Sequence, residues 1–292
     1  MKTFLALFIS VISVSFASIF IKLCPEVPSI TISFYRMAIS GIIISFFAIR
    51  NLKEVFSMKK KLLILNIFSG MALGLHFILW ISSLKYTSVA SSVALVTLNP
   101  IFVGILSYIF FKEKLSINLI IGILLSVAGS FILAFGDKPT IELIKEGKNP
   151  FLGDILALLG AIMASFYIIL GSRVRKNVSL LTYNFIAYNS SFIFLFFVVL
   201  LTKNPFFGFV KISYLYLFLL GVVPQLIGHT GFNWALKYVK PVIIAITILG
   251  EPIGATILAF IIFDETLKGT QILGMFLIFI AIIVSFIKKK IL

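Results

Sequence analysis

Two dipeptides, Asn99-Pro100 and Glu251-Pro252, each fall near the middle of an apolar run long enough to cross a bilayer. A proline there removes one backbone donor and frees the carbonyl four residues earlier, at Val96 and at Ile248. Hydrocarbon tolerates such a break only where protein, a side chain or a water-lined cavity satisfies the freed group. A kink repaired by the hydroxyl of Thr97 or Thr247 is the simpler expectation. Glu251 asks for more, because an acid at the centre of a spanning helix costs about 2.5–3.5 kcal/mol unless it is paired, neutral or hydrated. It is expected to face the interior, as a solute or proton site or as a structural hydrogen-bonding group. Arg36, about a third of the way into the run 30–49, either snorkels to the interface or offers its guanidinium to an anion. A fixed cation and a buried acid together could hold the carboxylate and ammonium of a zwitterion.

Three polar or aromatic sets recur at helical spacing: His76, Trp80 and Ser83; Asn184, Tyr188 and Ser191; and Gln225, His229 and Asn233. Steps of three or four residues put each set on one helix face. A polar face in lipid turns inward, to line a cavity or to bond neighbouring helices. His76 and His229 lack a third ligand at a recognisable spacing, so no metal site is expected. There is no H-E-x-x-H, G-x-S-x-G or phosphate-binding loop, so the usual catalytic signatures are missing and no cofactor is expected. The candidate substrate-binding residues are Arg36, His76, Trp80, Asn99, Asn184, Tyr188, Gln225, His229, Asn233 and Glu251, with helix breaks at Pro100 and Pro252.

The elements that position these residues must be membrane helices. Of 292 residues, 61% are hydrophobic and 12% charged, with mean hydropathy +1.18, whereas a soluble domain carries roughly 25% charged residues. The stretch from Tyr86 to Phe111 contains no Asp, Glu, Lys or Arg, and about 20 apolar residues suffice to span hydrocarbon. Apolar runs near 4–23, 30–49, 62–84, 88–111, 117–135, 151–171, 180–201, 212–236, 240–263 and 268–287 predict an all-α membrane protein of about ten transmembrane helices. The first run exceeds the apolar core of a signal peptide, about 7–15 residues, and is expected to be retained. Gly70, Gly74, Gly104, Gly122 and Gly274 suit close helix contact. The lone Cys24 excludes an internal disulfide and reads as a small apolar filler.

The formal charge of +15 would suggest nucleic acid in a soluble protein, but these basic residues sit in short loops and report orientation instead. With the N-terminus inside, sixteen Lys and Arg fall on the cytoplasmic side and eight outside, with Arg36 within a span. Both termini are therefore expected in the cytoplasm, in a multi-pass protein of the cell (inner) membrane. The charged connection 136–150 divides the chain near its midpoint and reads as an external linker between units 1–135 and 151–292.

The halves match at a shift of 152 residues, which carries Leu84-Lys85-Tyr86 onto Leu236-Lys237-Tyr238, Glu113 onto Glu265, Leu115 onto Leu267 and Gly122 onto Gly274. Five crossings per unit is an odd number, so the second copy should insert upside down, giving two inverted five-helix repeats with a solute site at mid-membrane.

Several short stretches, in order through both halves, carry a family likeness. They are Pro28 with Ser33-Phe34-Tyr35-Arg36; Ala90-Ser91-Ser92-Val93-Ala94 leading to Asn99-Pro100; Lys112-Glu113-Lys114-Leu115 before Gly122; and Gly250-Glu251-Pro252 with Asp264-Glu265-Thr266-Leu267 before Gly274. By these the chain resembles the EamA family of the drug/metabolite transporter superfamily over nearly its whole length. The resemblance implies alternating access across a central cavity, in a family whose members export amino acids or other metabolites. The first half has Asn99 where the second has Glu251, so a charge-dependent role should belong to one half only. The first helix lacks the acid of small multidrug carriers, which argues against organic cations. A single arginine within the spans argues against phosphorylated sugars. A neutral or zwitterionic small-molecule solute fits best, with protons as a candidate coupling ion. A lipid scramblase or other non-transport membrane protein is the alternative, and it would need a lateral polar groove.

Overall fold

The computed structural model describes residues 2–87, 89–134, 147–264 and 267–287, and every regular element among them is a helix. Most of the expected linker, Glu265 and the basic tail Lys288 to Lys290 lie outside the described residues. The first half contains α1 (Lys2–Lys22), α2 (Ser29–Ala48), a short turn and α3 (Leu52–Ser57), α4 (Lys60–Tyr86), α5 (Val89–Val96), α6 (Asn99–Phe111) and α7 (Ile117–Ala134). The second contains α8 (Pro150–Arg175), α9 (Leu180–Leu201), α10 (Lys211–Leu220), a π-helical segment Gly221–His229 leading into α11 (Thr230–Ala235), α12 (Pro241–Ile248), α13 (Gly250–Phe263) and α14 (Gly269–Phe286). Among the described residues nine spans are long and apolar enough to cross a membrane, and Ile117–Leu133 is a shorter tenth apolar helix. The fold class expected from the sequence is thus the one observed.

The runs 88–111 and 240–263 differ from expectation in that neither is one kinked helix. Each is two helices, interrupted at Thr97 and Leu98 and at Leu249. Pro100 and Pro252 consequently sit in the first turn of a new helix, where the missing N–H has no intrahelical partner to lose. Nor do the threonines cap the freed carbonyls. Thr97 Oγ1 donates to Val93 O and Ala94 O, at 2.8 and 3.0 Å, and Thr247 Oγ1 donates to Ile243 O at 2.7 Å. Each break is instead tied to the opposite half: Ser165 Oγ of α8 reaches Asn99 O at 3.2 Å, and Ser15 Oγ of α1 reaches Glu251 O at 3.4 Å. The second helices of both pairs end on left-handed residues, Lys112 at φ 56° and Asp264 at φ 53°, again 152 positions apart.

Burial is inverted relative to a soluble protein. Phe4, Phe46, Leu124, Phe197, Ile261 and Phe276 face outward, while Ser33, Asn66, Asn184, Gln225 and Asn233 are buried. Lipid offers apolar side chains a good solvent and polar ones none, so polar groups gather where helices meet. α4 packs against α8, α7 against α14, and α9 against α2 and α4. At the α7–α14 crossing, a Cβ added at Gly122 would lie 3.2 Å from Ala281 O, and one added at Gly274 would lie 2.6 Å from Gly129 O. Residue order therefore runs oppositely along the two helices, and Asn118, at the start of α7, donates to Ile287 O just past the end of α14. A Cβ at Gly70 would collide with the Ala187 carbonyl.

Loop contacts sort the chain ends into two faces. On one, Glu113 pairs with Lys240 at 3.8 Å, and the Glu54 carboxylate accepts the Ser179 N–H at 2.7 Å and the Thr182 hydroxyl at 2.6 Å. On the other, Ser213 donates to Glu26 at 2.6 Å, Tyr35 to Phe206 O at 2.9 Å and Thr87 to Asp154 at 2.8 Å. Burial pushes the Glu54 carboxyl up, but donation from Ser179 and Thr182 outweighs it and holds the group below its ordinary value. Cys24 is buried, as expected of a filler.

Gly70→Val is expected to cost about 1–3 kcal/mol of stability or prevent folding, whereas Gly269→Ala, where a Cβ meets open space, should leave the thermal midpoint in detergent unchanged. A depressed folded-state pKa gives stability that is present above the ordinary Glu value of about 4.3 and lost as pH falls through the lower folded value. The thermal midpoint of the native protein should therefore drop more steeply below about pH 4 than that of Glu54→Gln. Parallel curves would remove Glu54 from this role.

Candidate functional site

A cavity of about 60 Å³ lies where the broken helices meet α2, α4, α8 and the π-helical segment. One water requires roughly 10–15 Å³, so the space admits several waters or a solute of few heavy atoms. Of the residues expected to bind solute, Arg36, His76, Trp80, Asn99, His229, Asn233 and Glu251 line it. Asn184, Tyr188 and Gln225 do not; they stand behind the wall.

Arg36 is 1% exposed and does not snorkel. Its guanidinium lies 3.8 Å from the centre of the Phe77 ring, and Nε donates to Gln225 Oε1 at 2.9 Å. Desolvated cation–π contacts reach about 2 kcal/mol or more. Gln225 occupies that position because its helix is π-wound. Pro224 has no N–H to donate, and Thr230 N–H reaches back five residues to Gln225 O. The wider winding changes the phase, so Gln225 meets Arg36 while His229 and Asn233 reach the cavity.

Asn233 is fully committed. Its Oδ1 accepts from Tyr167 OH at 2.7 Å, and its Nδ2 donates to Asn184 Oδ1 at 2.8 Å and to Tyr188 OH at 3.4 Å. Tyr188 and Asn184 share Thr230 Oγ1, at 3.0 and 3.2 Å. These residues fix the wall rather than offer free groups. His76 Nδ1 lies 3.0 Å from Gly160 O, which can only accept, so Nδ1 carries a proton; the ring stacks on Trp80 at 6.1 Å. His229 packs edge-on to Phe77 at 5.5 Å.

Among the described residues four groups at the cavity remain unspent. Arg36 Nη1, Trp80 Nε1 and Asn99 Oδ1 are buried without a partner, and no hydrogen bond from a described residue reaches the Glu251 carboxylate, which is only partly buried. Among the described residues Arg36 and Glu251 form no direct ion pair. The set therefore offers N–H donors from Arg36 and Trp80 and oxygen acceptors from Asn99 and Glu251. No group of three His, Cys, Asp or Glu among the described residues has metal-binding geometry. The sequence pattern missed Tyr167 and Phe77 as wall residues. Tyr167 stands in the apolar stretch Ala164-Ser165-Phe166-Tyr167-Ile168 with no polar partner at helical spacing to mark it.

The sequence profile of the EamA-like transporter family matches residues 1–135 and 151–287. The chain belongs to that family. A protein of Clostridium kluyveri described as an uncharacterized transporter is 25% identical over 209 residues, 71% of this chain and 67% of the relative. A second, from Archaeoglobus fulgidus and described in the same words, is 25% identical over 208 residues, 70% of each chain. A solved crystal structure superposes with a TM-score of 0.79 at 17% identity, covering 98% of both chains, so the fold is shared. As a member of the EamA-like transporter family the chain is a transporter.

The difference between spent and unspent groups is measurable. Asn233→Leu should cost about 1–3 kcal/mol for each buried partner it strands, read by unfolding in mixed micelles. Asn99→Leu, which strands no Oδ1 partner, should cost under about 1 kcal/mol. Equal losses would contradict this division of the wall.

Proposed function

We propose that the protein is a secondary transporter that exports a small neutral or zwitterionic metabolite, such as an amino acid, across the cell membrane by alternating access around the central cavity. The observation that carries this reading is that Arg36 and Glu251, an arginine and a carboxylic acid with unspent polar groups, line one cavity with no direct ion pair between them among the described residues. A solute carboxylate would take the Arg36 and Trp80 N–H groups, and its ammonium would take Glu251 and Asn99 Oδ1. Each contact is charge-assisted, the strong class of hydrogen bond. His76 and His229 would close the aromatic side. Glu251 is also the candidate proton carrier if transport is coupled.

The two units 1–135 and 151–292, joined by an external linker 136–150, are proposed to be inverted repeats. The antiparallel α7–α14 crossing, with its exchanged Gly122–Ala281 and Gly274–Gly129 contacts, supports an axis in the membrane plane. The helix breaks are the natural hinges, since each is held to the other half by one serine hydroxyl. Both termini are proposed to be cytoplasmic, because the face bearing Glu54, Glu113 and Lys240 carries the larger share of Lys and Arg. Outward direction is what the family resemblance implies.

Proteoliposomes screened with amino acids and related metabolites, with and without a pH gradient, test the reading. At least one zwitterion should exchange, and Arg36→Met and Glu251→Gln should each slow it by at least about tenfold, the value of one charge-assisted bond. Wild-type rates in both variants would refute the charge-pair site. Failure with every solute, together with scrambling of labelled lipid, would favour a scramblase.

A further inference from the structure

A second crevice, of about 280 Å³, opens where α4 begins and α6 and α8 end. It shares no wall residue with the central cavity. Leu65, Phe110, Phe111, Ile169 and Leu170 form an apolar floor, and Lys61 and Arg173 stand on the rim. Both cations are exposed, and neither is in an ion pair among the described residues. A third, Lys176, holds its Nζ 5.4 Å from the centre of the Phe111 ring. The neighbouring Ile109 is outward-facing, as is Phe110 itself, so the floor continues onto the lipid-facing surface.

The internal repeat supplies a control within the molecule. The shift of 152 carries Lys61, Leu65 and Phe111 onto Ser213, Leu217 and Phe263, and carries Ile21 onto Arg173. The equivalent corner on the other face keeps Leu217 and Phe263 but has Ala17 and Ser18 in place of Ile169 and Leu170, and its cation is Lys22, 4.3 Å from the centre of the Phe263 ring. The pairing of Lys61 with Arg173 over a wholly apolar floor is therefore a property of this crevice and not of the repeated fold.

We propose that the crevice binds an anionic glycerophospholipid, with the phosphodiester headgroup held by Lys61 and Arg173 and an acyl chain laid along Phe110 and Leu170. Arginine pairs with phosphate oxygens through two N–H groups, and lysine adds a point charge. Basic pockets between membrane helices select anionic headgroups. Free phosphate would satisfy the cations but leave the floor uncovered. Because α4 and α6 belong to the first half and α8 to the second, a lipid seated there touches both. This proposal does not depend on the solute or on the direction of transport.

The test is native mass spectrometry of the full chain in detergent, titrated with phosphatidylglycerol or with phosphatidylcholine of the same acyl chains. Phosphatidylglycerol should be retained in preference, on the order of fivefold for each cation. Lys61→Gln with Arg173→Gln should abolish the preference, while Lys203→Gln with Lys211→Gln, which removes equal charge from the opposite face, should preserve it. Should the double variant not fold, Lys61→Gln alone, at an exposed first-turn position, should lower the preference by its own share. Equal retention of both lipids by the native chain, a preference surviving in the crevice variant, or displacement by inorganic phosphate would each overturn the proposal.

Discussion

A guanidinium cannot rest in hydrocarbon without partners, and the interior of this protein is arranged around meeting that demand for Arg36. Hydrocarbon offers no hydrogen-bond partner at that depth, so the protein must supply an aromatic face and fixed acceptors. Phe77 and Gln225 supply one of each. Gln225 reaches Arg36 because its helix is π-wound, and Tyr188, at 3.4 Å from the Gln225 carbonyl, ties that segment to α9. Asn233, Asn184 and Tyr167 extend the network across α8, α9 and α11. The protein completes only part of the arginine's hydrogen bonding, and Nη1 is left without a protein partner.

Composition, run length and turn residues made the helices legible, because lipid imposes one rule on every span. The helix limits agree with the apolar runs to within about 2–4 residues in most cases. The positions of the two irregularities were legible as well, since a proline beside Asn99 or Glu251 has few structural excuses at mid-membrane, but not that each run divides into two helices. Phase was the hidden quantity. A stripe at Gln225, His229 and Asn233 implies one face only if the winding is α-helical, and a nine-residue π segment splits the stripe between wall and support. Pro224 was the available signal, but a proline alone does not say whether a helix breaks, kinks or widens.

The candidate site was legible in part for a related reason. Charge is so costly in a span that Arg36 and Glu251 stood out from their residue types alone. Asn184 and Tyr188 were equally visible, yet their hydrogen bonds are consumed by Thr230, Asn233 and the Gln225 carbonyl. Sequence reveals that a polar group must be satisfied inside, and only packing reveals whether protein has already satisfied it. Tyr167 shows the converse, a residue silent in sequence that packing brings onto the wall and locks to Asn233.

The repeat gives this distribution of charge its logic. At a shift of 152, Arg36 corresponds to Tyr188 and Asn99 corresponds to Glu251. A strictly duplicated interior would place two guanidiniums, or two carboxylates, around one small low-dielectric space, where like charges repel strongly. Here Arg36 comes from the first half and Glu251 from the second, and their counterparts Tyr188 and Asn99 carry no formal charge. The backbone can therefore keep its matched breaks and matched left-handed caps while the cavity carries a dipole.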